Sequence, residues 1–411
     1  SIIKSIEVIT SPGAKYDAEG AAGIINIITK KGVQGMNGSV NATIGNRNRN
    51  LGTNLSVKTG KIALNFSGNG YQYRNTWEAT SNRTSYSGGQ PVNVLDRSTS
   101  ADNTGTGGYG DLAFDYDPDS THHLNFSANV WGGNFPNNAT TALILTDPNG
   151  LVLQNFRNVS RFHNPYGNGQ LNLGWTKTLK KPEQEFSLLS QYSRMPDNYF
   201  YTTDRITPDE VIIYREKSTN YSRNKEYTFQ ADYVHPFRLT TVRDTSVLKL
   251  EIGSKAILRN IGSEVKVEQS LNGKDDLIED PSQANNFTYT QRVYSGYTSL
   301  RWSNKAKWNL NAGARLEHTE ISGNFLTTGT SLHNHYSNLI PSFLLSKGIK
   351  SSTFKIAYTQ RITRPLIWYL NPWINRSDPK NLTTGTPTLN PEINHATEVS
   401  HSLSTAGGTT L

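Results

Sequence analysis

The sequence has no cysteine and only 2 methionines in 411 residues. Without cysteine there is no disulfide framework, no thiolate nucleophile and no zinc–thiolate centre. No run of eighteen apolar residues occurs, so a membrane-spanning helix is excluded. Apolar residues make up only 35% of the chain and mean hydropathy is −0.58, too polar for several ordinary dry cores. The motifs that usually carry catalysis are missing too: no nucleophile elbow, no phosphate loop, no H-E-x-x-H. Neither an enzyme nor a cofactor is expected. The basic excess, 41 Lys and Arg against 33 Asp and Glu, is spread singly along the chain, which argues against a nucleic-acid partner.

What is present is alternation. Aromatics reach 10%, with 20 Tyr, and glycine is frequent at 34 residues. Apolar and polar residues take turns in segments of about ten residues, enough to cross a bilayer as a tilted strand. Fourteen such segments can be read, at about 36–45, 50–59, 61–73, 108–116, 121–132, 168–179, 184–194, 225–235, 246–259, 287–302, 306–318, 335–346, 352–361 and 394–405. The connections between them are alternately short and long, with long polar loops expected at about 74–107, from 133 to 166, and up to 224. Long loops on one side and tight turns on the other are the pattern of an outer-membrane barrel. A closed barrel is also the one way to cross lipid without a helix, because it leaves no backbone group unpaired.

Alternation assigns faces. In the segment at 306–318, Trp308, Leu310, Ala312, Ala314 and Leu316 fall on one side and Asn309, Asn311, Gly313, Arg315 and Glu317 on the other. An arginine facing lipid at mid-depth would cost about 2–4 kcal/mol, so Arg315 and Glu317 are expected to point inward. Trp131, Trp175 and Trp302 lie near segment ends, as interfacial girdle residues do.

The first 31 residues differ from the rest. Ile6, Val8 and Thr10 alternate, Ser11-Pro12-Gly13 breaks the run, and Gly23 to Thr29 is an apolar, β-branched strand closed by Lys30 and Lys31. In order, Ile6-Glu7-Val8, Pro12, Ala14-Lys15-Tyr16 and Gly23-Ile24-Ile25-Asn26-Ile27-Ile28-Thr29-Lys30 resemble the C-terminal end of the plug domain of TonB-dependent outer-membrane receptors. Tyr16-Asp17-Ala18-Glu19-Gly20 is similar to a variant common in Bacteroidetes. The motif positions are Glu7, Pro12, Tyr16, Gly20, Gly23, Asn26 and Thr29. Ser11 and Asp17 depart from the Gly residues usual there, and the D-A-S-x-x-A-I-Y-G-S-R run of one glycan-importing branch is missing. A second resemblance lies near the end of the chain. Arg361-Ile362-Thr363-Arg364-Pro365, Leu370-Asn371-Pro372 and Gly385-Thr386-Pro387-Thr388-Leu389-Asn390-Pro391-Glu392 resemble the R-R-x-x-R-P … G-N-P-x-L-K-P-E loop of these receptors, with Gln360, Thr386 and Asn390 as departures. Its prolines fix a loop's shape.

The resemblance implies an all-β fold: an antiparallel transmembrane β-barrel in the bacterial outer membrane, preceded by the last strands of a plug. About fourteen strands are expected here, out of the roughly 22 of a plugged transporter barrel. The expected division is 1–33 for the plug end and 34–411 for a partial barrel, the chain being a fragment. It implies uptake of a scarce solute (siderophore, cofactor, peptide or glycan). Expected partners are outer-membrane lipid, the TonB complex through an N-terminal peptide upstream, and a surface lipoprotein. An alternative is a structural or adhesive barrel whose outer loops bind a partner. Ligand contact is expected from aromatic clusters, since rigid rings give contact area at low entropy cost: Tyr199, Phe200, Tyr201, Tyr214 and Tyr221 in one loop, Trp368, Tyr369 and Trp373 in another. No metal site is expected. His122 and His123 point to opposite faces of a strand, His333 and His335 read as a polar loop, and Asp275, Asp276, Glu279 and Asp280 lack calcium-loop spacing.

Overall fold

The structure, a computed structural model, describes residues 3–9, 14–15, 24–29, 34–240, 245–374 and 383–403. Two strands, β1 (Ile3–Ile9) and β2 (Ile24–Thr29), form a small antiparallel sheet of their own. Glu7 pairs with Asn26 and Ile3 with Thr29, joining the two halves of the N-terminal motif. Pro12, Tyr16, Gly20 and Gly23 lie outside the described residues.

All other strands join one antiparallel sheet. It begins with β3 (Gly35–Ile44), β4 (Asn48–Thr59), β5 (Ile62–Ser87), β6 (Gln90–Tyr116) and β7 (His122–Asn134). There follow β8 (Ala139–Thr146), β9 (Val152–His163), β10 (Pro165–Thr178), β11 (Glu185–Arg194) and β12 (Tyr199–Ile206). The long pair β13 (Ile212–Thr240) and β14 (Thr245–Ser270) leads to the two-residue β15 (Ile278–Glu279). The last are β16 (Phe287–Asn304), β17 (Trp308–Phe325), β18 (Thr330–Ile349), β19 (Ser352–Thr363) and β20 (Glu392–Leu403). The only α-helix among the described residues is one turn, Ile367–Leu370.

All fourteen expected strands are present, and β8, β9, β12 and β15 bring the sheet to 18. These four, and the upper halves of β5, β6, β13 and β14, fill segments expected to be loops. The wall therefore rises far beyond the bilayer. β5 and β6 stay paired up to Ser87 and Gln90, where Gly88 (φ 58°) and Gly89 (φ 82°) form the two-residue tip. Above the membrane both faces are wet, so apolar alternation is no longer required. Backbone pairing and polar cross-strand pairs hold the strands instead, such as Asn82 donating to Asp96 at 2.7 Å, directly opposite it. On the other side the connections are tight, turning at Gly60, Lys307 and Lys350 in the left-handed conformation.

Directly paired residues share a face, so register traces the inside of the wall. Asp232 pairs with Gly253, Gly253 with Tyr297, Tyr297 with Arg315, and Arg315 with Ile340. In the other direction Asp232 pairs with Ser187, Ser187 with Thr176, and Thr176 with His123. This is the face that Lys15 of the N-terminal segment touches, and it is the lumen. Arg315 is 1% and Glu317 2% exposed, while Leu316 between them is 56% exposed. The charged pair points inward and the leucine outward, as lipid requires. Leu124, Val130, Leu173, Phe229, Ile252 and Leu339 continue the exposed outward belt.

Trp175 and Trp302 fall on the outward side near the tight-turn end, where an interfacial girdle belongs. Trp131 does not. It has the parity of Asn125, Ser127 and Asn129 and pairs with Tyr109, so it faces the lumen. Strand order brings β20 next to β3, yet no residue register joins them among the described residues. Every residue of β3 is exposed.

Candidate luminal binding site

Three features line the lumen. The lowest is an ionic junction between the N-terminal turn and the wall. Lys15 Nζ lies 3.1 Å from Glu251 Oε1 and 3.8 Å from Asp232 Oδ2. Ala14 beside it is buried against Gly313, where an added Cβ would sit 3.0 Å from the Ala14 Cβ. The two carboxylates are buried and further satisfied by the wall. Gln230 Nε2 donates to Asp232 at 2.8 Å, Tyr297 Oη donates to Asp232, and Ser299 Oγ donates to Glu251 at 3.1 Å. One register step higher, Glu317 is held between two arginines. Arg315 Nε donates to it at 2.5 Å, Arg364 Nη2 donates to its other oxygen, and Arg315 Nη2 reaches Ser295 Oγ at 2.7 Å. Arg315 also stacks over the Tyr297 ring, its Cζ 5.2 Å from the centroid, linking the two clusters.

Arg364 belongs to the second sequence motif, and that motif folds into the lumen. Leu370 of its helical turn is 1% exposed and packs with Phe287, Tyr289, Ile321, Phe325 and Leu332. The far half of the motif closes on the near half: Gly385 N donates to Asn371 O at 2.9 Å and Thr386 N to Tyr369 O at 2.6 Å. A Cβ at Gly385 would lie 2.5, 2.7 and 2.8 Å from the carbonyl oxygens of Asn371, Tyr369 and Trp368. We expect Gly385→Ala to force this loop open at a cost of about 1–3 kcal/mol. Proteinase K cleavage within 364–390 should then accelerate; an unchanged digestion pattern would show that the contact is dispensable.

The expected ligand-contact aromatics divide. Tyr199 pairs with Asn220, Tyr201 with Ser218 and Arg205 with Tyr214, all on the β13 face that runs down to Asp232. Tyr199, Tyr201 and Tyr214 thus face inward above the membrane. Phe200 and Tyr221 meet edge to face, centroids 5.1 Å apart, on the outer side. Trp368 and Tyr369 are exposed, while Trp373 is partly buried. The inward group has a structure the sequence did not disclose. Glu216 accepts from Tyr201 Oη at 2.6 Å and from Tyr214 Oη. Burial and this carboxylate push both phenols above their ordinary range, so they stay neutral donors. Arg205 is sandwiched, its Cζ 4.6 Å from the Phe156 centroid and 5.1 Å from that of Tyr214. Phe156, Arg205 and Glu216 lie in β9, β12 and the upper part of β13, stretches that read as loop in the sequence. A tyrosine-rich segment interleaved with Thr, Asp and Arg was the one signal available.

The remaining polar candidates are structural. His122 pairs with Asp119 and His123 with Asp117, each on its own side. His333 and His335 lie within β18 rather than a loop. Of the acidic stretch, Asp275 pairs with Arg215, Glu279 with Lys266, and Asp280 caps a short 3-10 turn. No cluster of three His, Cys, Asp or Glu residues suited to a metal occurs among the described residues.

A sheet with an apolar outer belt and a charged, hydrogen-bonded inner face that receives an N-terminal segment is a transmembrane β-barrel. Residues 177–411 match the model of the outer membrane protein beta-barrel family, and the chain belongs to that family. Its place is the bacterial outer membrane. Among solved structures it is similar to the siderophore receptor PiuA from Acinetobacter baumannii, with a TM-score of 0.59, 12% identity, and coverage of 99% of this chain and 60% of that one. It is also similar to the copper transporter OprC (TM-score 0.56, 14% identity, 97% of this chain, 56% of that). The ferric citrate transporter FecA in the unliganded form is another (TM-score 0.53, 13% identity, 97% of this chain, 54% of that). At such identities the likeness is one of fold. The chain spans less than two thirds of each of these proteins. No curated protein matches the sequence.

Proposed function

We propose that the chain is the plug end and much of the barrel of a TonB-dependent receptor that takes up a scarce solute across the outer membrane. On this reading residues 1–33 end the plug and 34–411 form barrel wall. The observation that carries it is Lys15, which leaves the plug-like motif to sit between two buried wall carboxylates, Asp232 and Glu251. A passive pore has no use for a segment held across its lumen. The solved relatives, a siderophore receptor and metal transporters by name, support the same reading. A solute enters from outside, meets the inward ring cluster at Tyr199, Tyr201 and Tyr214, and is passed when the TonB complex, acting on a peptide upstream of this segment, rearranges the plug. The ionic junction is the part that has to give way.

The test is uptake by solute-starved cells carrying the full-length gene, a deletion, or a gene without its upstream TonB-interacting peptide. Loss of uptake of one solute in both altered strains is expected. Unchanged uptake of every metal chelate, cofactor, peptide and glycan would overturn the reading and favour an adhesive barrel.

A further inference from the structure

The lumen has a second aromatic surface, opposite in character to the Arg205 cluster. On β5, β6, β7 and β10 the inward positions include Tyr71, Tyr73, Tyr109, Trp131 and Tyr166, and Phe135 follows β7 directly. Three of these rings, those of Tyr71, Tyr73 and Phe135, lie beside glycines. A Cβ added at Gly105 would come 2.4 Å from the Tyr73 ring, one at Gly107 2.6 Å from Tyr71 Oη, and one at Gly133 3.1 Å from Phe135 Cζ. At Gly105 and Gly107 a side chain would have to move the tyrosine ring, and at Gly133 it would first strike the backbone of Thr106 and Gly107. The rings also touch in series: Tyr71–Tyr73 at 6.5 Å, Tyr73–Phe135 at 6.3 Å, Phe135–Tyr166 at 4.6 Å and Tyr166–Trp131 at 5.8 Å between centroids. Tyr71, Tyr109 and Trp131 are 36%, 47% and 41% exposed.

Charge narrows the ligand. Inward positions run from Asn65 to Trp77 on β5, Thr99 to Ala113 on β6, Asn125 to Gly133 on β7 and Tyr166 to Thr176 on β10. No lysine or arginine stands among them, and Asp111 is the only charged residue. An anionic chelate would meet no counter-charge here. Below the rings the wall offers amides instead: Asn69, joined to Asn50 at 3.1 Å, then Asn129, and Gln170, joined to Asn172 at 3.1 Å. Flat ring faces beside neutral donors and acceptors suit a ligand with apolar C–H faces and a hydroxyl rim.

We propose that this glycine-backed aromatic track on the luminal wall binds a neutral carbohydrate chain by stacking sugar rings on Tyr71, Tyr73 and Trp131. The inference is drawn from the wall alone, and it builds on the uptake reading, since the bound chain would be the solute carried. The full-length protein in detergent is titrated with maltohexaose, cellohexaose, xylohexaose, mannohexaose and chitohexaose, following tryptophan fluorescence and heat. One of them is expected to bind. Trp131→Ala should weaken it about tenfold or more, and Trp131→Phe, which keeps a ring, should retain most of the affinity. Gly107→Ala, which displaces Tyr71, should weaken it without removing any ring; its fold is checked by heat-modifiable mobility on gels. Binding of none of the five, or equal binding by wild type and Trp131→Ala, overturns the proposal. The two readings fail separately. TonB-dependent uptake of a ferric chelate with no oligosaccharide binding sinks the carbohydrate track and leaves transport standing. Oligosaccharide binding without TonB-dependent uptake does the reverse.

Discussion

Glu317→Ala should be strongly destabilising, lowering stability by about 3–5 kcal/mol, because it removes the buried carboxylate that two buried arginines share. The side chains of Arg315, Glu317 and Arg364 are 1%, 2% and 4% exposed. Arg315 also donates to Ser295 and Arg364 to Thr319, hydroxyls that carry no charge of their own. Heating the folded protein and reading the gel mobility shift gives the midpoint, which should fall clearly for this variant. A second variant separates breaking the triad from its net worth. Arg315→Met, Glu317→Leu and Arg364→Met together remove all three charges, and a buried ion cluster replaced by apolar groups of like volume is often neutral. The triple variant should therefore melt above Glu317→Ala. If Glu317→Ala melts like the wild type, the triad is hydrated and the argument from burial fails.

Which of these features could be read from the chain follows from where alternation is enforced. Arg315 and Glu317 were legible because lipid on one side makes Leu310 and Leu316 obligatory neighbours, and the same pressure fixed all fourteen wall strands. Above the bilayer that pressure disappears. Thr76 and Thr80 need only pair their backbones, so β5 runs on through a stretch that reads as loop. Trp131 shows a second kind of error. Its nearness to a strand end suggested the girdle, but parity with Asn125 and Asn129 placed it inward, and parity was already visible in the sequence. Tertiary partners were not. Nothing local tells that Lys15 meets Asp232 and Glu251, more than two hundred positions away, or that Glu317 draws in Arg364. The Gly385 motif reads as a loop whose shape its prolines set, and the structure adds the close approach of three carbonyls to Gly385.

Lys15→Glu should release the N-terminal segment from the lumen. The cation now stands between two carboxylates that are 8% and 7% exposed, and reversal puts three negative groups together. Like charges about 4 Å apart repel by roughly 4 kcal/mol at an effective dielectric near 20, enough to undo a junction built on one lysine. Arg301, 3.5 Å from Glu251 and half exposed, offers only partial relief. Single-channel recording of the full-length protein in planar bilayers reads the result: the wild type should be largely closed and Lys15→Glu should conduct. Combining it with Glu251→Lys restores an opposite-charge contact at the 3.1 Å site and should restore closure, which a merely misfolded variant would not do. Equal conductance in wild type and Lys15→Glu would mean that the segment is held elsewhere and that Lys15 is a passenger. Closure recovered only by the paired change would identify the Lys15–Glu251 contact as the latch that any opening of the lumen has to break.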